Sequence, residues 1–357
     1  MEEFKKGRER GNAFARLANM ARRIARASRD PERGYRKLFN MALARLSHGL
    51  KLDRNLGKPY SALIEVTNIC NLECPLCPTG ERTLNRKPEN MSFETFTKII
   101  DEIAPYCVEV NLTNYGEPLL NKEIFDMVYY AKQRNLRVIM GTNAHFLKDD
   151  HSRRALLMSG LDEIYFSLDG AEQRTYEMYR RRGDFSLVVD NVKKMVELKR
   201  KLRVASPLIE LQFLVMKHNE GDIEKVRELA DEIGVDRLAF KPVGFNNADW
   251  GREEIVSEFR KFEPAQEKYR IYTHMADDTL GWDKEVPNFC QTLWTGLTIL
   301  ADGRLVPCCL DPRAELVLGH VDDGIFNAWN GARYRNLRKQ ITTDKKQIKL
   351  CARCHGL

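Results

Sequence analysis

No stretch of this 357-residue chain approaches the eighteen or so consecutive apolar residues of a membrane span, which argues against a helix crossing a bilayer. The N-terminus has neither the apolar core nor the small-residue cleavage site of a secretory signal. Low-complexity tracts are absent, and an apolar content of 43% is that of a globular protein. Nine cysteines are too few for a disulfide scaffold at this length. They are clustered, so the expectation is metal binding in a reducing compartment, the cytoplasm. Histidine is scarce, with seven in all and none close to the first cysteine cluster.

The most informative absence is a fourth cysteine. Cys70-x3-Cys74-x2-Cys77 supplies three thiolates in eight residues, where a simple iron–sulfur carrier supplies four. One iron of a [4Fe–4S] cluster would then be left open, and catalytic metal sites keep such a position free. The alternative is a zinc knuckle or inert buried thiols, although zinc sites mostly use two Cys-x2–4-Cys pairs or a Cys/His mix.

Charge is unevenly spread. The net value is +7, but residues 1–57 hold fifteen Lys and Arg against six Asp and Glu, and the other three hundred residues sum to −2. In that segment Phe14, Leu17, Ala18, Ala21, Ile24 and Ala25 recur at helical spacing among arginines, which predicts a basic amphipathic helix over 12–29, broken near Asp30-Pro31. Phe39, Leu43 and Leu46 predict a second helix. The first would dock on the main body or touch an anionic membrane face peripherally.

From residue 61 to 241, short β-branched runs alternate with amphipathic stretches. Strands are expected at 61–67, 108–113, 137–141, 163–168, 208–216 and 236–241. Helices are expected at 92–104, 121–134, 147–159, 172–201 (interrupted at Gly183) and 220–233. Six strand–helix units predict a parallel sheet with right-handed crossovers, either an open barrel or a doubly wound sheet. In a barrel, reactive groups collect at the C-terminal strand ends. Asn114-Tyr115-Gly116-Glu117-Pro118, Thr142-Asn143 and Ser167-Leu168-Asp169-Gly170 fall there.

A three-cysteine loop after a first strand, followed by Gly116-Glu117-Pro118, resembles the radical S-adenosylmethionine (SAM) superfamily. The resemblance covers about residues 60–245 and implies a partial (β/α)6 barrel. It also implies a cluster held by Cys70, Cys74 and Cys77, with SAM chelating the open iron. SAM contacts are then expected from Tyr115, Gly116, Glu117, Pro118, Asn143, Ser167 and Asp169, with Leu76 beside the adenine where the family often has an aromatic. Arg180 is the expected partner of the SAM carboxylate, in competition with Arg181 and Arg182. Gln212 and Lys241 are candidate pocket residues.

After a linker region at 246–288, a second set appears: Cys290, Cys308, Cys351 and Cys354. Ala301-Asp302-Gly303 signals a hairpin between the first two, and a helix is expected at about 325–340. Four thiolates close all positions of a second cluster, or hold zinc. The arrangement resembles the Twitch domain, the shorter relative of the SPASM domain, with one auxiliary [4Fe–4S] cluster. Cys309 is a spare thiol or hydrogen donor, and Cys107 a core residue. The expected organisation is a basic helical extension (1–57), a barrel (58–245), a linker region (246–288) and a small hairpin-plus-helix domain (289–357).

The resemblance implies reductive SAM cleavage and hydrogen abstraction from an unidentified substrate. The reading preferred from sequence is a two-electron oxidation of a small molecule, an alcohol, sugar or lipid-linked compound, with the auxiliary cluster as electron acceptor. The alternative is maturation of a peptide, and an iron–sulfur electron carrier is the non-enzymatic option. A flavodoxin- or ferredoxin-type donor is expected as partner. Nucleic acid is not, because the basic segment has few aromatics for base stacking.

Overall fold

The computed structural model describes residues 31–274, 280–281 and 286–354. The helix expected at 12–29 lies outside them. The second expected helix is α1 (Pro31–Gly49), opening on a proline whose missing N–H has no partner at that position anyway. It docks through Lys37, Asn40, Met41, Ala44 and Ser47, whereas Phe39 and Leu46 stay exposed. The reason is a close chain crossing. A Cβ on Gly57 would lie 2.6 Å from the Ala44 nitrogen, so the helix must turn its small-residue face inward.

The barrel runs β1 (Ser61–Ile64), α2 (Phe93–Ile103), β2 (Glu109–Asn111), α3 (Ile124–Gln133), β3 (Arg137–Thr142), α4 (Asp150–Met158), β4 (Glu163–Ser167), α5 (Gln173–Tyr179), α6 (Phe185–Leu202), β5 (Leu208–Val215), α7 (Ile223–Ile233) and β6 (Arg237–Pro242). Ser92, Asp149 and Asp184 cap α2, α4 and α6 by accepting from backbone N–H groups three residues on. The break at Gly183 separates α5 from α6. Each of β1 to β6 pairs in parallel with the next in sequence. Every crossover therefore turns the same way, and the sheet curls into an open barrel where a doubly wound sheet would reverse its order.

Strand residues alternate between two faces. Val110, Val138, Ile164 and Leu211 pack under the helices. The other face begins with a charged belt at the N-terminal strand ends, in which Arg137 pairs with Glu109 and Glu163, and Arg237 with Glu163 and Glu210. Further along that face lie Thr113, Gly141, Ser167, Gln212 and Lys241, the end where the candidate site forms.

The stretch 246–288 contributes α8 (Glu253–Phe262) and the short pair β7 (Thr273–His274) and β8 (Leu280–Gly281). Phe245, Phe259 and Tyr272 form an aromatic layer there that packs with Leu72, Cys74 and Leu76 of the cysteine loop. The C-terminal part follows with α9 (Thr292–Thr295), the hairpin β9 (Gly296–Ile299) and β10 (Arg304–Val306), then β11 (Gly319–His320), α10 (Ile325–Trp329) and α11 (Ala332–Asp344). Strand β9 lies parallel to β1, so the hairpin extends the barrel sheet to nine strands in the order β11-β10-β9-β1-β2-β3-β4-β5-β6. The fully buried Glu65–Arg86 pair (2.7 Å) fastens the junction: Glu65 accepts from Ala301 N (3.1 Å) and Arg86 donates to Pro312 O (2.6 Å).

Candidate active site

One cavity at the C-terminal strand ends is lined by Cys70, Cys74 and Cys77 together with Leu72, Thr113, Tyr115, Gly116, Glu117, Gly141, Asn143, Tyr165, Ser167, Tyr179 and Arg180. The loop geometry depends on two glycines. A Cβ on Gly80 would sit 2.5 Å from Cys74 backbone atoms, and one on Gly116 (φ +95°) only 2.4 Å from Thr67 O. At Gly116 the turn after β2 therefore crosses the start of the cysteine loop in contact, and Glu117 N donates to Ile69 O (2.8 Å).

Burial above all pushes the Cys70 thiol up to about 12, with Glu117, Cys77 and Cys74 adding to it. Burial likewise raises Cys74 to about 11 against the pull of Arg180. Thiolates at Cys70 and Cys74 would need a compensating cation, which a bound iron–sulfur cluster would supply. Among the described residues no three His, Cys, Asp or Glu side chains converge on a point as a single ion requires. The three thiols line one cavity.

The other expected residues divide by what they touch. Arg180 faces the cavity, its Nε donating to Asp169 Oδ2 (2.5 Å) and its Nη1 lying 3.9 Å from Cys74 Sγ. Arg181 and Arg182 turn outward to Glu258 and Glu73. Asp169 does not line the cavity, since its second oxygen accepts from Leu214 N (2.7 Å) and it holds Arg180 against β5. Glu117 accepts from Thr142 Oγ1 (2.6 Å), Asn143 N (2.8 Å) and Leu119 N (3.1 Å), tying the end of β2 to that of β3. Burial still holds its carboxyl above the usual range. Asn143 donates to Asn71 Oδ1 (2.8 Å) and approaches Cys70 Sγ (3.9 Å).

Leu76 packs in the aromatic layer and is not among the residues lining the cavity, whereas Leu72 is. Pro118 opens the short 3-10 turn Pro118–Leu120 and is buried. Gln212 donates to Glu210 Oε1 (2.8 Å), while Lys241 is exposed. Sequence reasoning missed Thr113 and Tyr165. A Cβ on Gly141 would meet the Tyr165 ring at 2.0 Å, so that glycine lets the ring lie across β3. The signal was available, because Tyr165 precedes Ser167 by two and a strand repeats its face every two residues.

Cys290, Cys308, Cys351 and Cys354 line a second, smaller cavity with Leu293, Leu310, Ile341 and Lys345. Burial pushes Cys351 up to about 12 and Cys308 well above its usual value. Lys345 is buried here, donating to Phe289 O and Cys354 O (both 2.7 Å), and its charge draws Cys290 and Cys351 back down. The two centres meet at Tyr115, whose hydroxyl donates to Cys309 O (2.7 Å) and accepts from Asn246 Nδ2 (2.7 Å). Cys309 is half-buried beside the set without lining its cavity, and Cys107 is a core thiol that donates to Glu109 O (3.1 Å).

An open barrel of sequential parallel strands, with three thiols and a polar wall at its mouth and four more thiols in an appended hairpin domain, defines a SAM-cleaving iron–sulfur enzyme. The chain belongs to the radical SAM superfamily, whose family model matches residues 64–230, and a SPASM iron–sulfur cluster-binding domain matches residues 290–355. A PqqA peptide cyclase of Ruegeria pomeroyi is 26% identical over 272 residues, 73% of this chain and 71% of the relative. A probable GTP 3′,8-cyclase of Saccharolobus islandicus is 27% identical over 220 residues, 59% of this chain and 67% of that protein. The structure of Streptococcus suis SuiB bound to its precursor peptide SuiA superposes with a TM-score of 0.58 at 14% identity, covering 89% of this chain and 75% of SuiB. The cofactors of this class are a SAM-binding [4Fe–4S] cluster and auxiliary cluster iron. Among the described residues no helix is long and apolar enough to cross a membrane.

Proposed function

We infer that the protein is a radical SAM peptide-modifying enzyme, with its first cluster on Cys70, Cys74 and Cys77 and an auxiliary cluster on Cys290, Cys308, Cys351 and Cys354. The observation that carries the SAM half is the single cavity in which three thiols, Gly116 and Arg180 face one another with no fourth sulfur among its lining residues. When bound and reduced, cluster and SAM together supply a 5′-deoxyadenosyl radical that removes a hydrogen atom from substrate. The chain's residues do the rest. Arg180, held by Asp169, presents a guanidinium to a carboxylate; Gly116 admits the cofactor's polar end to the backbone; Leu72, Tyr165 and Tyr179 wall the site against water. The donor that reduces the cluster, a flavodoxin or ferredoxin, is part of the same proposal, as is the domain division at 57, 245 and 288.

Peptide is preferred to the small-molecule oxidation that sequence alone favoured. The PqqA peptide cyclase aligns over 272 residues, and the nucleotide cyclase over 220. The oxidative reading keeps one supporting feature, a thiolate set with four members that leaves the auxiliary cluster fit for electron transfer. Reconstituted enzyme incubated separately with the peptide and the low-mass fractions of a cell extract distinguishes them. Deoxyadenosine formation above the substrate-free rate is expected with the peptide fraction, accompanied by a mass change in one peptide. Stimulation by the low-mass fraction alone would return the assignment to small-molecule chemistry.

A further inference from the structure

Beside the cysteine loop lies a second cleft of about 430 Å³ that the reaction outlined above does not use. Its walls carry Arg82, Arg252, Arg313 and Lys349, with Thr83 and Asn85 between them, and one carboxylate, Glu315. Three separate segments supply these groups: the return of the cysteine loop, the turn after β6 and the C-terminal domain.

Carboxylates reach this cluster too, Glu81 near Arg252 and Asp249 among them, but donors remain free. Buried Asp249 is shared by two guanidiniums, pairing with Arg313 and with Arg252 (3.2 Å). Arg313 is itself nearly buried, its side chain 11% exposed, and its Nη1 is a buried nitrogen with no hydrogen-bond partner. A buried donor without an acceptor is costly, and most such groups in folded proteins are satisfied. Lys349 makes no ion pair among the described residues. Glu254 and Glu73 hold Arg252 and Arg82 from outside, and the Arg82–Glu73 pair is solvent-exposed and correspondingly weak. Planar guanidiniums converging with an ammonium and neutral donors match an oxyanion, to which arginine donates two parallel bonds.

We propose that this cleft is the substrate's anion subsite, gripping a carboxylate or phosphate group while the rest of the substrate reaches the barrel mouth. The proposal builds on the functional reading above and adds the charge class of the substrate. In a peptide the group is an acidic side chain or the C-terminal carboxylate; in a small molecule it is a phosphate.

Titration calorimetry on anaerobically reconstituted enzyme tests it with three probes: acetyl-Glu-Glu-amide, acetyl-Gln-Gln-amide and inorganic phosphate. Binding of the acidic dipeptide but not its amide counterpart is expected, falling with salt and weakened roughly tenfold or more in Arg313→Met, in keeping with loss of a charged hydrogen bond. Lys349→Gln changes an exposed side chain, so it folds even if Arg313→Met does not, and it is expected to weaken the same binding. Phosphate binding alone, lost in the same variants, upholds the subsite and points its source to a phosphorylated small molecule, so that only the peptide reading fails. Equal affinity of wild type and Lys349→Gln for every probe, or binding of the neutral dipeptide as tight as the acidic one, overturns the subsite and leaves the peptide reading standing.

Discussion

Replacing Gly116 by alanine should damage this protein out of proportion to one methyl group. The added Cβ would meet Thr67 O at 2.4 Å and Thr67 C at 2.9 Å, both backbone atoms that no rotamer change can move. The residue also sits at φ +95°, where an L side chain is strained. Left-handed backbone costs a non-glycine residue about 1–2 kcal/mol, and overpacking against a fixed neighbour adds about 1–3 kcal/mol. The total of roughly 2–5 kcal/mol is a large share of a typical folding free energy of about 5–15 kcal/mol. Thr67 lies three residues before Cys70, so relief of the overlap must shift the cysteine loop itself. Denaturant unfolding, iron content after reconstitution and SAM binding should all fall together. Gly221→Ala is the control, since its Cβ would meet nothing within 4 Å. A Gly116→Ala protein with the midpoint and SAM affinity of Gly221→Ala would refute the close-crossing argument.

Arg86→Met should cost about 3–5 kcal/mol in chemical denaturation, because it strands the buried Glu65 carboxylate; a loss below about 1 kcal/mol would mean Glu65 is solvated or neutral. Gly141→Ala should displace Tyr165 and raise the KM for SAM, and adding Tyr165→Leu should restore part of the loss; strict additivity in this cycle would show that the two residues are not in contact. Buried His145 is held neutral, its Nε2 accepting from Asp184 N (2.9 Å), and burial lowers its pKa below 6.5. The unfolded chain therefore takes up this proton first, so stability contributed by the neutral ring is complete above pH 6.5 and falls as the pH drops through and below it. His145→Gln should flatten part of that decline, and an unchanged pH profile would contradict it.

What the sequence made legible was whatever short-range spacing encodes. Cys70, Cys74 and Cys77 share one loop, and the glycine at 116 stands at a strand end where only close backbone contact explains it. The six strand–helix units follow from local periodicity, and their in-order pairing from the economy of short crossovers. Which of three consecutive arginines enters the site was not legible. That depends on α5 stopping at Tyr179 and on Asp169, eleven residues earlier, waiting on β4's far end. The packing of Leu76 was not legible for a similar reason: its neighbours in the aromatic layer come from residues 245–272, a stretch with no periodicity to read. Lys345 sits in the charged run Asp344-Lys345-Lys346, and its burial depends on carbonyls of Phe289 and Cys354, distant in sequence. The β1–β9 pairing joins residues 235 apart through a four-residue run that names no partner.

The proposed function requires an open iron at Cys70, Cys74 and Cys77 that SAM completes. Its most direct test is 5′-deoxyadenosine formation by the fully iron-loaded, dithionite-reduced protein, compared with Cys74→Ala reconstituted in the same way. Deoxyadenosine is expected from the wild type and none from the variant, with the variant retaining the iron of the C-terminal set. A wild-type protein carrying two clusters that leaves SAM intact in the presence of its substrate would contradict it.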